Sequence, residues 1–158
     1  MPIAVSRAVA LFVCLLAVLG GATEAVAQKP EIYQSGQERF GASLAVGGFD
    51  TVAYHTQGLP VPGNAAFRVS WKGAEWRFSS SENRDRFVKE PDKYAPQFGG
   101  YCAFAVAYGS TAAGDPRVFS IAKGKLYLNL NESVQSSWAR DQDNLIQRAE
   151  RNWPKVVQ

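Results

Sequence analysis

Cysteine, histidine and methionine are scarce in this chain, whose 158 residues hold two cysteines, one histidine and one methionine. One cysteine, Cys14, lies in an N-terminal segment that reads as removable, so the remaining domain has Cys102 alone and cannot close an intramolecular disulfide. Cys102 and the single histidine, His55, are too few for a closed tetrahedral zinc site. A dominant charge is missing as well: 17 Lys and Arg face 14 Asp and Glu, a formal net charge of +3. Losing Arg7 and Glu24 with the leader leaves that balance unchanged. So mild and dispersed a charge excludes a nucleic-acid surface. Gly-rich phosphate loops, serine-nucleophile elbows and His-Glu-x-x-His patterns are absent, and a non-enzymatic protein is expected.

The N-terminus carries Arg7, an apolar run from Ala8 to Leu19, and Ala25-Val26-Ala27 before Gln28. The run is short for a bilayer, and the small-x-small ending fits signal peptidase, so residues 1–27 read as a cleaved signal peptide; an uncleaved anchor is the alternative. Leu11-Phe12-Val13 before Cys14 does not fit a lipoprotein signal. The expected location is periplasmic or secreted, with no membrane span after signal cleavage, because no later apolar run approaches membrane length.

Residues 28–46 are polar with scattered apolar positions and read as an N-terminal arm or short helix. Gly47 to Asp50 is a turn leading into Thr51–His55, which could be a strand or one helical turn. Phe67–Trp71 and Glu75–Phe78 alternate apolar and polar residues around Lys72-Gly73, the pattern of a β-hairpin with one buried face. Ser79, three residues before Glu82, has the spacing of a capping box for a helix that Pro91 ends. Tyr101–Tyr108 reads as an apolar helix closed by Gly109. Val118–Ile121 and Lys125–Leu128 form a second hairpin around Lys123-Gly124, and Asn131 caps a C-terminal helix with Val134, Trp138, Leu145, Ile146 and Ala149 on its apolar stripe. The expected fold class is α+β: a small antiparallel sheet built from two β-hairpins packed against helices, within residues 47–158. Trp71 and Trp76 fall on that sheet by alternation, so their simplest role is packing rather than ligand stacking.

Gly99-Gly100 places Cys102 in the first turn of the helix that follows. Free N–H groups and the helix dipole there favour thiolate, the form that soft-metal binding and redox chemistry require. The alternative is an inert thiol in the core, since free cysteine is among the most buried residue types. His55 is the only imidazole available as ligand or base, and Asp50 and Tyr54 stand beside it in sequence. The candidate metal ligands are therefore Cys102, His55, Asp50 and Tyr54, suited to a low-coordinate soft ion such as Cu(I) or to a site completed by a second molecule.

Three segments carry a resemblance: Gly48–His55, Trp76–Arg84 and Asp92–Ala103, continued by Gly124–Asn129 and Asn152–Pro154. They resemble the exported bacterial YHS-domain proteins. That resemblance implies a treble-clef-like fold and a metal-binding module, related to cysteine-rich domains found beside copper transporters and in metal-sensing proteins. Some relatives of the exported branch carry selenocysteine at a cysteine position, which implies a reactive chalcogen. His55 matches the histidine of the Tyr-His-Ser signature, with Thr56 in the serine position. The broader group brings two or three cysteines, whereas here Cys102 stands alone. The expected function is a metal carrier or scavenger, copper first, whose partners are a soft metal ion or an exported protein. The alternatives are a thiol-redox protein using Cys102, and a small-molecule or protein binding module in which Cys102 is merely buried.

Overall fold

The computed structural model describes residues 28–35 and 43–158; the expected signal peptide and residues 36–42 of the arm lie outside the described residues. The fold is mixed α+β. Strands β1 (Gln34–Ser35) and β2 (Leu44–Ala45) precede helix α1 (Thr51–Thr56), the hairpin β3 (Asn64–Trp71) and β4 (Ala74–Phe78), and helices α2 (Ser81–Lys89) and α3 (Pro91–Tyr94). Helix α4 (Ala103–Ala107), the hairpin β5 (Asp115–Ala122) and β6 (Lys125–Asn129), and helices α5 (Glu132–Arg140) and α6 (Gln142–Val156) complete the described chain. None of its helices is long and apolar enough to cross a membrane.

The two hairpins lie in separate sheets rather than one: a four-stranded sheet of order β1-β2-β4-β3 and a two-stranded sheet β5-β6. Strand β2 of the arm pairs in parallel with β4, Leu44 opposite Glu75, and so occupies the edge of β4 that β3 leaves free. Both hairpin turns form where the sequence places them. Lys72-Gly73 and Lys123-Gly124 each have two successive positive φ values, the pair of conformations a two-residue hairpin turn needs.

Strand β4 alternates as its sequence implies, with Ala74, Trp76 and Phe78 buried and Glu75 and Arg77 half-buried. Strand β6 is buried on both faces instead, from Leu126 through Asn129. Its period of two sends Leu126 and Leu128 into one core, with Trp76, Phe78, Phe87 and Tyr94, and sends Tyr127 into a second, with Phe98, Val106, Trp138 and Ile146. β6 is thus the wall shared by the two cores. Each large side chain fully buried there contributes about 1.5–3 kcal/mol.

Local signals are mostly realised, with shifts of a residue or two. Ser80, not Ser79, caps α2, its Oγ accepting from Asn83 N at 3.1 Å. The Tyr101–Tyr108 helix shortens to Ala103–Ala107, followed by Gly109 at φ 74°. Asn131 caps the C-terminal region as expected, Oδ1 accepting from Val134 N at 2.9 Å. That region divides in two at Asp141, whose backbone (φ −143°, ψ 41°) is not helical, and α6 runs through Pro154 to Val156.

Residues 32–35 are anchored on the domain, while residues 28–31 are exposed. Ile32 is buried, Tyr33 N donates to Gly99 O at 2.8 Å, and Tyr101 OH donates to Pro30 O at 3.0 Å.

Candidate functional site

Asp50 ends the turn before α1 with an extended backbone, the conformation a helix-capping residue takes. Its Oδ1 accepts from Val52 N at 3.0 Å and Ala53 N at 3.3 Å. Its Oδ2 accepts from Ser79 N at 2.8 Å, Ser79 Oγ at 2.6 Å and Asn83 Nδ2 at 2.7 Å. Five donors saturate a carboxylate with roughly four lone-pair sites, so a metal ion here would have to displace framework bonds. Asp50 is fully buried and holds α1, the end of β4 and α2 together.

Tyr54 points from α1 into the first core, its ring edge-on to Phe119 at 4.8 Å. Its hydroxyl donates to Pro116 O at 2.7 Å. Burial first, then the charges of Asp115 and Asp50, push its phenol well above the ordinary value. Held protonated and already bonded, it is a poor anionic ligand.

His55 follows on the same short helix, half-buried, with its ring edge-on to Tyr94 at 5.5 Å. Its Nε2 is buried and has no hydrogen-bond partner. Burial, then the nearby Lys93 ammonium, lower its pKa, so the ring is neutral at pH 7. A neutral imidazole with an unspent nitrogen is the form that ligates metals. In the next position Thr56 turns its hydroxyl inward to donate to Val52 O at 3.0 Å.

Cys102 is 1% exposed and stands at the cap position of α4, where its side chain makes no capping bond. The segment before β5 covers it: Cys102 N donates to Ala112 O at 2.9 Å, and Tyr101 bridges Ala113. Gly114 permits this closeness, since a Cβ there would lie 2.3 Å from Gly100 O and 2.7 Å from Leu128 Cβ. Cys102 Sγ lies 3.8 Å from Asn129 Oδ1, which also accepts from Phe104 N at 3.4 Å. Asn129 therefore caps α4 from outside and takes an N–H that the sulfur was expected to use. The other end of its amide, Nδ2, is buried and unpartnered.

These four candidates occupy two neighbourhoods of contacts. Asp50, Tyr54 and His55 share α1, while Cys102 meets Asn129, and neither His55 nor Cys102 is among the other's bonded or ring-contact partners. Among the described residues no group of three or more His, Cys, Asp or Glu is assembled to hold a metal ion. Among the described residues the buried side-chain atoms left without a partner are Thr51 Oγ1, His55 Nε2, Asn129 Nδ2 and Trp138 Nε1, of which His55 Nε2 belongs to a candidate ligand. Asn129 and Asn83 were not singled out from the sequence, and Ser79 only as a candidate helix cap. For Asn129 the signal was present, a carboxamide closing the apolar run Leu126-Tyr127-Leu128.

Residues 52–98 match the YHS domain family. YHS domains are generally regarded as candidate metal-binding modules. The matched span runs from α1 through α3 and contains Tyr54 and His55, while Asp50 precedes it and Cys102 follows it. No match was found among curated proteins or among solved structures.

Proposed function

We propose that this chain is an exported carrier or scavenger of a soft metal ion, copper first, with His55 Nε2 and Cys102 Sγ as its donor atoms. The observation that carries the reading is the orphaned, buried Nε2 of a neutral imidazole within the YHS match. Cys102 supplies the soft sulfur that favours Cu(I) over harder ions. Because His55 and Cys102 lie in separate neighbourhoods and no group of three or more such ligands is assembled among the described residues, the ion is exchangeable cargo, its coordination completed by the molecule that delivers or receives it. The leader-like features of residues 1–27 support export to the periplasm or beyond. Titrating purified protein with Cu(I) against bicinchoninate tests the reading. Wild type should withdraw the ion, and Cys102→Ser and His55→Gln should each compete at least about tenfold less well. Equal competition by wild type and both variants sinks it.

A second reading is a thiol-redox protein, which rests on the free thiol of Cys102 at the cap position of α4, next to the N–H groups of the helix start. Peroxide would oxidise the thiolate to sulfenic acid, releasing water after protonation. An external thiol would then reduce it, forming a mixed disulfide that a second thiol resolves. Trapping with dimedone after peroxide treatment distinguishes the two readings. A Cys102 adduct in folded protein supports redox chemistry, whereas an adduct only in urea marks an inert core thiol.

A further inference from the structure

Of the four tryptophans, Trp76 and Trp138 are fully buried and serve the two cores. Trp71 and Trp153 are half-buried, and both line a cleft of about 330 Å³. Buried Ile32 and Phe98 also line it. The size lies within the range of small-molecule sites.

The chemistry of the rim selects among ligand classes. Glu31, Lys72, Asp92 and Lys125 line it, so its charges cancel. Lys72 is paired with Glu31 and lies 4.7 Å above the Trp71 ring, and Lys125 Nζ is 3.5 Å from Glu150. An anion would find both ammonium groups engaged and would face Asp92. A cation would find Asp92 but would also lie beside two lysines, so with two charges of each sign on the rim neither sign gains a net advantage. A wholly apolar ligand would strip water from Asp92 and from the Gln97 amide without replacing its hydrogen bonds. Neither of those two side chains has a bonding partner among the described residues.

We infer that this cleft binds a neutral, hydroxyl-rich ring, a pyranoside, by stacking on Trp153, with Trp71 lining the cleft beneath Lys72, and by hydrogen bonds to the Asp92 carboxylate and the Gln97 amide. A pyranose has an apolar C–H face for an indole and rim hydroxyls that both donate and accept. This cleft is independent of Cys102 and His55.

The test follows the indole N–H signals of ¹⁵N-labelled protein by NMR during titration with cellotetraose, chitotetraose and maltotetraose. At least one sugar should shift the Trp71 and Trp153 signals saturably, with a Kd on the order of 1 mM, while Trp76 and Trp138 stay put. Asp92→Ala, an exposed position whose loss leaves the core intact, should weaken binding about tenfold, and Trp153→Ala should abolish it. The inference is overturned if no sugar shifts either signal up to about 10 mM. It is equally overturned if Asp92→Ala binds like wild type, or if benzoate or tetramethylammonium saturates the cleft while the sugars do not.

Discussion

Asn83 Nδ2 donates to Asp50 Oδ2 at 2.7 Å, a bond between buried groups 33 residues apart that locks α2 to the cap of α1. The same oxygen receives both donors of Ser79, at the end of β4. Three elements of the YHS-matched region thus converge on one carboxylate. Asp50→Ala should lower stability by about 3–5 kcal/mol, combining a lost helix cap with buried donors left unpaired. Asp50→Asn should lose less, because the amide retains one acceptor. Urea unfolding measures both, and a loss below about 1 kcal/mol for Asp50→Ala would rule out the framework role.

Gly99 belongs to the arm more than to Cys102. Its φ is +60°, and a Cβ there would sit 1.7 Å from Glu31 O, inside any contact distance. Gly99→Ala should cost about 1–3 kcal/mol and release the arm. The specific readout is hydrogen exchange at the Tyr33 amide, which donates to Gly99 O. Unchanged protection there would show that the arm does not depend on this approach.

Much of the fold was legible because its signals are local. Both Lys-Gly turns, the alternation along β4 and the Asn131 cap need only neighbouring residues to be read. The separation of the hairpins into two sheets was not legible, since strand pairing between distant segments, such as the parallel contact of β2 with β4, leaves no local pattern. Sequence proximity suggested that Asp50, Tyr54 and His55 act together. On α1 they diverge: Asp50 caps the helix, Tyr54 enters the core, and His55 packs against Tyr94. The glycine pair before Cys102 pointed to the first turn of a helix, whereas Cys102 stands one residue earlier, at the cap, and the reason given was incomplete. Gly99 accommodates the arm, and Asn129 from β6 meets both the sulfur and an α4 N–H, a contact 27 residues away in sequence.

His55 gives the metal-free protein a pH dependence with a definite sign. Its pKa in the folded state is lowered, by burial and then by Lys93, relative to the ordinary value of 6.5. The unfolded chain therefore takes up the proton first, so this contribution to stability is present above pH 6.5 and is lost as pH falls through the lower folded value. Wild type should lose stability over that window more steeply than His55→Gln. Lys93→Ala should move the imidazole titration, followed by NMR, back toward 6.5. Superimposable pH profiles for wild type and His55→Gln would refute the assignment.

Tyr127 supplies the opposite case at high pH. Its ring lies in the second core against Trp138 and Phe98, and burial, then Glu150, push its phenol from 10.0 up to about 12. Because the folded value is raised, the contribution is fully present below pH 10 and is lost as pH rises through about 12. Tyr127→Phe keeps the ring contacts and removes the ionisable group. Across that interval the variant should retain stability that wild type loses, measured by near-UV circular dichroism in urea at fixed pH. Tyr54 and Tyr101, whose pKa values are also raised, are present in both proteins, so the difference isolates Tyr127. Parallel loss in the two proteins would place the alkaline sensitivity elsewhere.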